Sequence, residues 1–264
     1  MSHATPNPTR PFPAPILMYH HVEPLPLDPP AVYGDSYLDR RRFAEHLDLL
    51  RRWRRTPLTL GDALTRWRHG EPFPPRPVVL TFDDACSCFL DHAWPELEAR
   101  GMTATVFAVS GEIGGSNTWD HAAGERQERL LGGGDLAALA GQGVEIGAHG
   151  HRHRDLRECH GTELREELEG SRARLEEILG RPVATYCYPY GHLDERSARA
   201  VEAAGFTGAV GIDPGCSRTE PFALPRMIVR PGDGDFELRL KVTGAYRWWR
   251  KLPRLGLLSR LRHR

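Results

Sequence analysis

Short apolar runs alternate with amphipathic segments along most of this chain, and no other feature restricts its fold as much. The runs PILMYHHV, VVLTF, TATVFAV, VEIGAH, ATYCYPY, GAVGI and RMIVRP are apolar and carry β-branched or aromatic residues, as buried strands do. TPLTL supplies a further short one, leading into a helix that Gly70 ends. Between the runs the spacing turns helical. Phe43, Leu47 and Leu50 recur at i, i+4 and i+7 in DRRRFAEHLDLLRRW. Leu164, Leu168, Ser171, Leu175 and Ile178 share one face of a segment that Gly180 and Pro182 terminate. Strand and helix alternating in this way predict the α/β class, with a parallel sheet or a barrel. Such folds carry their chemistry at the C-terminal ends of the strands. Here those ends read TFDD, SGEIGG, GAH and CYPYG.

The 264 residues suit one large α/β domain or two small ones, and 35 Lys+Arg against 35 Asp+Glu give no charge excess that would call for nucleic acid as partner. Five scattered cysteines without a C-x-x-C read as free thiols in a reducing compartment. The N-terminal MSHATPNPTRPFPAP has no apolar core of a signal peptide, and no run of 18 apolar residues exists. The expected organisation is a flexible Pro-rich arm at 1–13, one domain at 14–244 and a tail at 245–264, in a cytoplasmic protein. The tail, AYRWWRKLPRLGLLSRLRHR, mixes seven Lys/Arg with Trp and Leu and has no acid. That composition fits peripheral contact with an anionic membrane on its inner face, or docking on the domain.

Asp83 and Asp84 close the run VVLTFDD. Two like charges at the mouth of a buried strand repel and resist desolvation. Another strand leads into GAHGHRHRDL, where His149 and His153 lie four apart, close enough for one turn or tight loop to bring both imidazoles to one metal ion. A carboxylate from a neighbouring strand end would complete an Asp/His/His site. The cation relieves one carboxylate, and the other, still ionised, can act as general base. Read alone, the cluster could be a solvated His-rich loop; TFDD at a second strand end argues against that. Other patterns fail on residue detail. H-E-x-x-H needs a Glu that Gly150, His151 and Arg152 do not provide. An H-x-H barrel places that motif after its first strand. A D-x-D phosphatase needs an acid where Ala85 stands.

LTFDDA, GAHGHRH and CYPYGHLDERSARAVEAAGF, in that order and with PILMYHHV ahead of them, resemble the polysaccharide deacetylases, carbohydrate esterase family 4, in a subgroup with YPYG. The resemblance spans about residues 14–231. It implies a single-domain distorted (β/α) barrel of about seven parallel strands, similar to a TIM barrel. It also implies an enzyme: a metal-dependent carbohydrate N-deacetylase, a hydrolase of linear amide C–N bonds that acts on an N-acetylated sugar or glycan. The cofactor would be one divalent metal, zinc foremost, with cobalt or another as alternatives. Carried onto this chain, Asp83 is the general base and Asp84, His149 and His153 are the metal ligands. The backbone N–H of Tyr190, after Pro189, helps bind the oxyanion.

Several positions depart from the family pattern. Ala85 stands where Gly is usual, and Gly150 where Ser or Thr is usual. Tyr188 replaces an Arg that orients the base, and Arg226 and Arg230 are the candidates to supply that cation instead. The family's late L-x-H, source of the general acid, is missing from GAVGIDPGCSRTEPFALPRMIVRPGD; His192, His121 and Asp120 lie in loops that could provide the proton. In the loop GGSNTWD, Trp119 can stack on a sugar or pack as a lid, while Asn117 and Asp120 can bind hydroxyls. His20 and His21 end the first strand, where one of them can border the site. The leading expectation is removal of an N-acetyl group from an amino sugar in a polysaccharide or lipid-linked glycan. The alternatives are a deformylase or other amidase on a lipid-linked amino sugar, and a catalytically weak carbohydrate-binding protein.

Overall fold

A computed structural model describes residues 10–24, 36–123, 126–212 and 215–246. Most of the Pro-rich arm, residues 25–35, 124–125 and 213–214, and the basic tail from residue 247 lie outside the described residues.

Strands and helices alternate as the sequence predicts. The first half of the chain holds β1 (Ile16–Tyr19), β2 (His21–Val22), β3 (Tyr37–Leu38), α1 (Arg40–Arg52), β4 (Thr56–Leu58), α2 (Leu60–His69), β5 (Pro77–Phe82), α3 (Trp94–Glu98) and β6 (Thr105–Ala108). The second half holds α4 (Gly133–Gly141), β7 (Glu145–Ala148), α5 (Gly161–Arg165), α6 (Ser171–Leu179), β8 (Thr185–Cys187), α7 (Glu195–Ala203), β9 (Gly208–Gly211), β10 (Leu224–Pro225), β11 (Met227–Ile228) and α8 (Asp235–Thr243). Local signals set the helix ends. The Asp39 carboxylate accepts the N–H of Arg41 to start α1, Thr59 caps α2 through Asp62, and Gly70 ends it in the left-handed region. Phe43, Leu47 and Leu50 of α1 are fully buried, each contributing about 1.5–3 kcal/mol of apolar burial.

The sheet is parallel throughout, in the order β10-β9-β8-β7-β6-β5-β1-β11. A ninth strand, β4, takes the first half of the β5 edge whose second half pairs with β6. β2 and β3 form a separate pair. β10 and β11 are two halves of one segment, interrupted at Arg226. The first half pairs with β9 and the second with β1. The last strand segment thereby bridges the two ends of the sheet and nearly closes a barrel. Eight strands lie along this path instead of about seven, because that closing segment is split.

Side chains alternate across the sheet. Ile16, Val79, Phe107, Cys187, Val210 and Leu224 form the inner cluster, and Leu60, Ala63 and Leu64 of α2 pack onto it. Leu17, Leu80, Phe82, Val106, Ile146 and Tyr186 face outward into the larger core with the helices. The lumen is tight: a Cβ on Gly147 would lie 2.6 Å from the Phe107 ring and from Thr185 Oγ1. Two elements differ from expectation. PILMYHHV is broken at His20 into β1 and β2. The long helix over 161–180 is divided by a π turn at Glu166–Gly170.

Candidate active site

The inward columns of the barrel build the site. β5 points Val79, Thr81 and then Asp83 into the lumen. β7 continues from Gly147 to His149, the closing segment from Leu224 to Arg226 and Ile228, and β1 from Ile16 and Met18 to His20. At the C-terminal mouth these columns bring Asp83, His149, Arg226 and His20 together. Asp84 and Ala85 then adopt left-handed φ of 68° and 54°, which turns the Asp84 carboxylate back toward the mouth. His153 and Tyr190 are left-handed too, at 57° and 59°. Non-glycine residues held this way cluster where function over-determines the backbone.

Asp84 Oδ1 lies 3.4 Å from His149 Nε2 and 3.6 Å from His153 Nε2. The three candidate ligand atoms are within 4.8 Å of one another, and all three residues are buried. Asp84 Oδ1 has no hydrogen-bond donor. His149 Nδ1 lies 2.8 Å from the carbonyl oxygen of Cys187. A carbonyl only accepts, so Nδ1 carries the proton and Nε2 presents its lone pair toward Asp84. Burial lowers the pKa of His149, and that of His153 further, so both imidazoles are neutral. Burial, followed by the charge of Asp83, pushes Asp84 up to about 8. Two neutral imidazoles and a buried carboxylate oxygen without a donor, converging on one point, fit a divalent cation.

Asp83 is a different kind of carboxylate. Arg226 Nη1 donates to its Oδ1 at 2.5 Å and Nη2 to its Oδ2 at 2.8 Å, both groups being almost fully buried. Burial opposes its ionisation, but the Arg226 guanidinium outweighs this and holds Asp83 well below the usual carboxylate range. The two adjacent acids therefore have separate counter-charges: an arginine for Asp83, and the place for a cation beside Asp84. Asp83, His149 and Cys187 also lie close together. They suit a cation poorly, because Arg226 occupies both Asp83 oxygens and burial drives the Cys187 thiol well above its ordinary range.

A cavity of about 250 Å³ opens over these groups, with His20, Asp83, Asp84, Trp119, Tyr190 and Arg230 in its wall. Trp119 stacks on His153 with ring centroids 4.6 Å apart, and Tyr190 meets the same imidazole edge-on at 4.7 Å. Trp119 also packs on Cys86, Cys88 and Leu130. Asn117 and Asp120 border the cavity as well. Asn117 holds its own loop, accepting from the Glu128 N–H at 2.6 Å and donating to Asp120 and to the Arg126 carbonyl. Tyr188 lies elsewhere: fully buried, its hydroxyl donates to the Phe222 carbonyl at 2.8 Å. Pro189 is buried behind the wall. Arg230 reaches the cavity, and Arg226 makes the bidentate pair with Asp83.

Of the loop residues considered as proton source, His192 is exposed and pairs with Asp155 at 3.0 Å, and His121 is exposed. A literal L-x-H does occur at Leu261–His263, in the tail outside the described residues. His20 is a titratable group that faces Asp83, with Nε2 3.6 Å from Asp83 Oδ2. Its only sequence signal is its position at the end of the first strand.

Comparison with known proteins agrees with this architecture. A family pattern described as polysaccharide deacetylase matches residues 70–209, just over half of the chain. A Bacillus subtilis protein assigned to the polysaccharide deacetylases, YxkH, is 25% identical over 226 residues, covering 84% of this chain and 74% of that one. The poly-beta-1,6-N-acetyl-D-glucosamine N-deacetylase of Staphylococcus aureus is 23% identical over 195 residues, covering 70% of this chain and 64% of that one. Among solved structures, the Streptococcus pyogenes deacetylase PplD has a TM-score of 0.74 at 19% identity, covering 88% of this chain and 99% of that one. BC0361, a polysaccharide deacetylase from Bacillus cereus, has 0.71 at 20% identity, covering 87% and 68%. The structural likenesses speak for the fold, and the sequence pattern for the family: the chain is a member of the polysaccharide deacetylases.

Proposed function

We propose that this chain hydrolyses the N-acetyl group of an amino sugar in a polysaccharide or lipid-linked glycan, using one divalent metal, zinc foremost, held by Asp84, His149 and His153. The observation that carries the reading is the pair of imidazole Nε2 atoms within 3.6 Å of an undonated carboxylate oxygen, next to a second carboxylate with its own arginine. The N-deacetylase named for the Staphylococcus aureus relative supports the substrate class.

A divalent cation held by Asp84, His149 and His153 would polarise the acetyl carbonyl and make water more acidic. Asp83 accepts the proton of the attacking water. Its pair with Arg226 keeps it ionised and fixes the direction of its oxygens. The backbone N–H of Tyr190 steadies the oxygen on which negative charge develops. Burial lowers the His20 pKa to about 4 and keeps the ring neutral, so His20, 3.6 Å from Asp83, takes the water proton over from Asp83 and passes it to the departing nitrogen, and the elements of water divide between acetate and the free amine. Trp119, Asp120 and Arg230 offer the sugar an aromatic edge and polar groups. YPYG at residues 188–191 supports membership of a subgroup that shares that sequence. The cytoplasm is the proposed location, with the basic tail against an anionic membrane. Deletion of residues 247–264 that left partitioning onto anionic vesicles unchanged would remove the membrane contact.

The test is acetate release from acetylated glucosamine oligomers by the metal-loaded protein, with Asp83→Asn and His149→Ala beside it. Release that both variants abolish is the expected result. A protein that binds the oligomers but releases no acetate with any divalent metal is a glycan-binding protein, and the catalytic reading is then wrong.

A further inference from the structure

The loop that carries the two histidines is held by a carboxylate from another part of the chain. Glu167 is 1% exposed. Its Oε2 accepts the backbone N–H of His151 at 2.9 Å, and its Oε1 that of Arg152 at 2.9 Å. Oε2 also lies 3.2 Å from the Arg152 N–H and 3.5 Å from that of Arg154. Loop N–H groups pointing into one concavity form an anion nest, here filled from within the protein. The backbone is left-handed at both ends of this contact, freely at a glycine and under strain at a histidine. Gly150 has a φ of 80°, and a Cβ there would lie 2.5 Å from Glu167 Oε2. His153, one of the two imidazole donors, is left-handed at 57°. A non-glycine residue persists in that region only when its surroundings fix it. Glu167 lies in the π turn at Glu166–Gly170, where one extra residue shifts the helix face between α5 and α6. Such turns recur at functional sites.

Resting on the metal-site reading above, we propose that Glu167 is a positioning residue for the metal centre. By accepting the N–H groups of residues 151, 152 and 154 it sets the loop between His149 and His153, and with it the direction of the His153 imidazole toward Asp84. Glu166, its neighbour, carries the same charge but forms only exposed ion pairs with Arg152 and His151, so it serves as the matched control.

The experiment is titration of metal-free protein with zinc and with cobalt(II), comparing wild type, Glu167→Gln and Glu166→Gln. Cobalt absorption reports the ligand geometry, and thermal melting of the metal-free proteins reports the fold. Glutamine keeps the shape of the side chain but places an N–H₂ group among N–H donors. The expected result is metal affinity weakened about 10- to 100-fold in Glu167→Gln, a changed cobalt spectrum, and wild-type behaviour in Glu166→Gln. Equal weakening in both variants would trace the effect to charge alone and overturn the proposal, as would unchanged affinity and spectrum in Glu167→Gln. If Glu167→Gln does not fold, amide hydrogen exchange in the wild type decides. Protected N–H groups at His151 and Arg152 support the proposal, and exchange at open-loop rates refutes it. Failure of the wild type to bind either metal refutes the metal-site reading instead, and is recognised by that arm alone.

Discussion

Replacing Arg226 with methionine tests the electrostatic core of this site. The wild-type pair is nearly dry, with two hydrogen bonds of 2.5 and 2.8 Å joining guanidinium to carboxylate. Removing one partner of a buried pair leaves an uncompensated charge, which costs about 3–5 kcal/mol. In a chain of this size that lowers the melting temperature by on the order of 10 °C. The loss should depend on pH. In the wild type the Asp83 pKa is depressed, so its stabilisation is complete above the ordinary carboxylate value and is lost only as pH falls through the lower folded value. Without Arg226, burial dominates and raises the Asp83 pKa. The fold then binds a proton that the unfolded chain releases, and the variant loses stability as pH rises. The gap between the two proteins therefore widens from pH 5 to pH 8. Urea unfolding of the metal-free proteins at both values measures it. Adding Asp83→Asn to the variant should recover most of the loss, because no orphan charge remains. A gap below about 1 kcal/mol at both pH values, far under the cost of an orphaned buried charge, would refute the claim that Arg226 neutralises Asp83.

Three further outcomes can be checked separately. Ala85→Gly should raise the melting temperature by about 1–3 °C, since glycine adopts left-handed φ without the Cβ penalty; a lower melting temperature contradicts the strain argument. His20→Gln should lower kcat about 100-fold or more while leaving zinc affinity unchanged, and a parallel loss of both would move His20 from proton delivery to metal binding. Zinc at about 100 times its Kd should stabilise the wild type by about 2.7 kcal/mol. Asp84→Asn should abolish that shift in calorimetry, and a shift of full size in the variant would remove Asp84 from the ligand set.

Much of this site can be read from the sequence because strand periodicity carries it. Asp83 and His149 end apolar runs, and a two-residue alternation sends both into the lumen. The same rule limits what can be read. Arg226 and Arg230 share one parity in an extended segment, so both point inward by pattern. Only the closure of the barrel at the gap between β10 and β11 sets Arg226 level with Asp83. Tyr188 sits inside the CYPYG run, yet Cys187 is the β8 residue that points inward beside it, which turns Tyr188 outward to Phe222. The facing of His20 to Asp83 is not legible because His20 lies at the break between β1 and β2, where periodicity stops. Glu167 reads as one more acid on the exposed side of a helix. Its burial follows from a π turn, and no propensity rule places that turn.

Barrel closure at Arg226 also orders events in time. Asp83 leaves the ribosome some 140 residues before the arginine that neutralises it, and the matched family pattern stops at residue 209, short of that arginine. A nascent chain ending there could form much of the sheet, but Asp83 would face either open water or burial without a partner. The dry, ionised form of Asp83 becomes accessible only when the segment Leu224–Ile228 docks between β9 and β1. Completion of the fold and the pairing of Asp83 are thus one event, and a truncated chain that keeps every motif residue would still lack the charge state that the proposed chemistry needs.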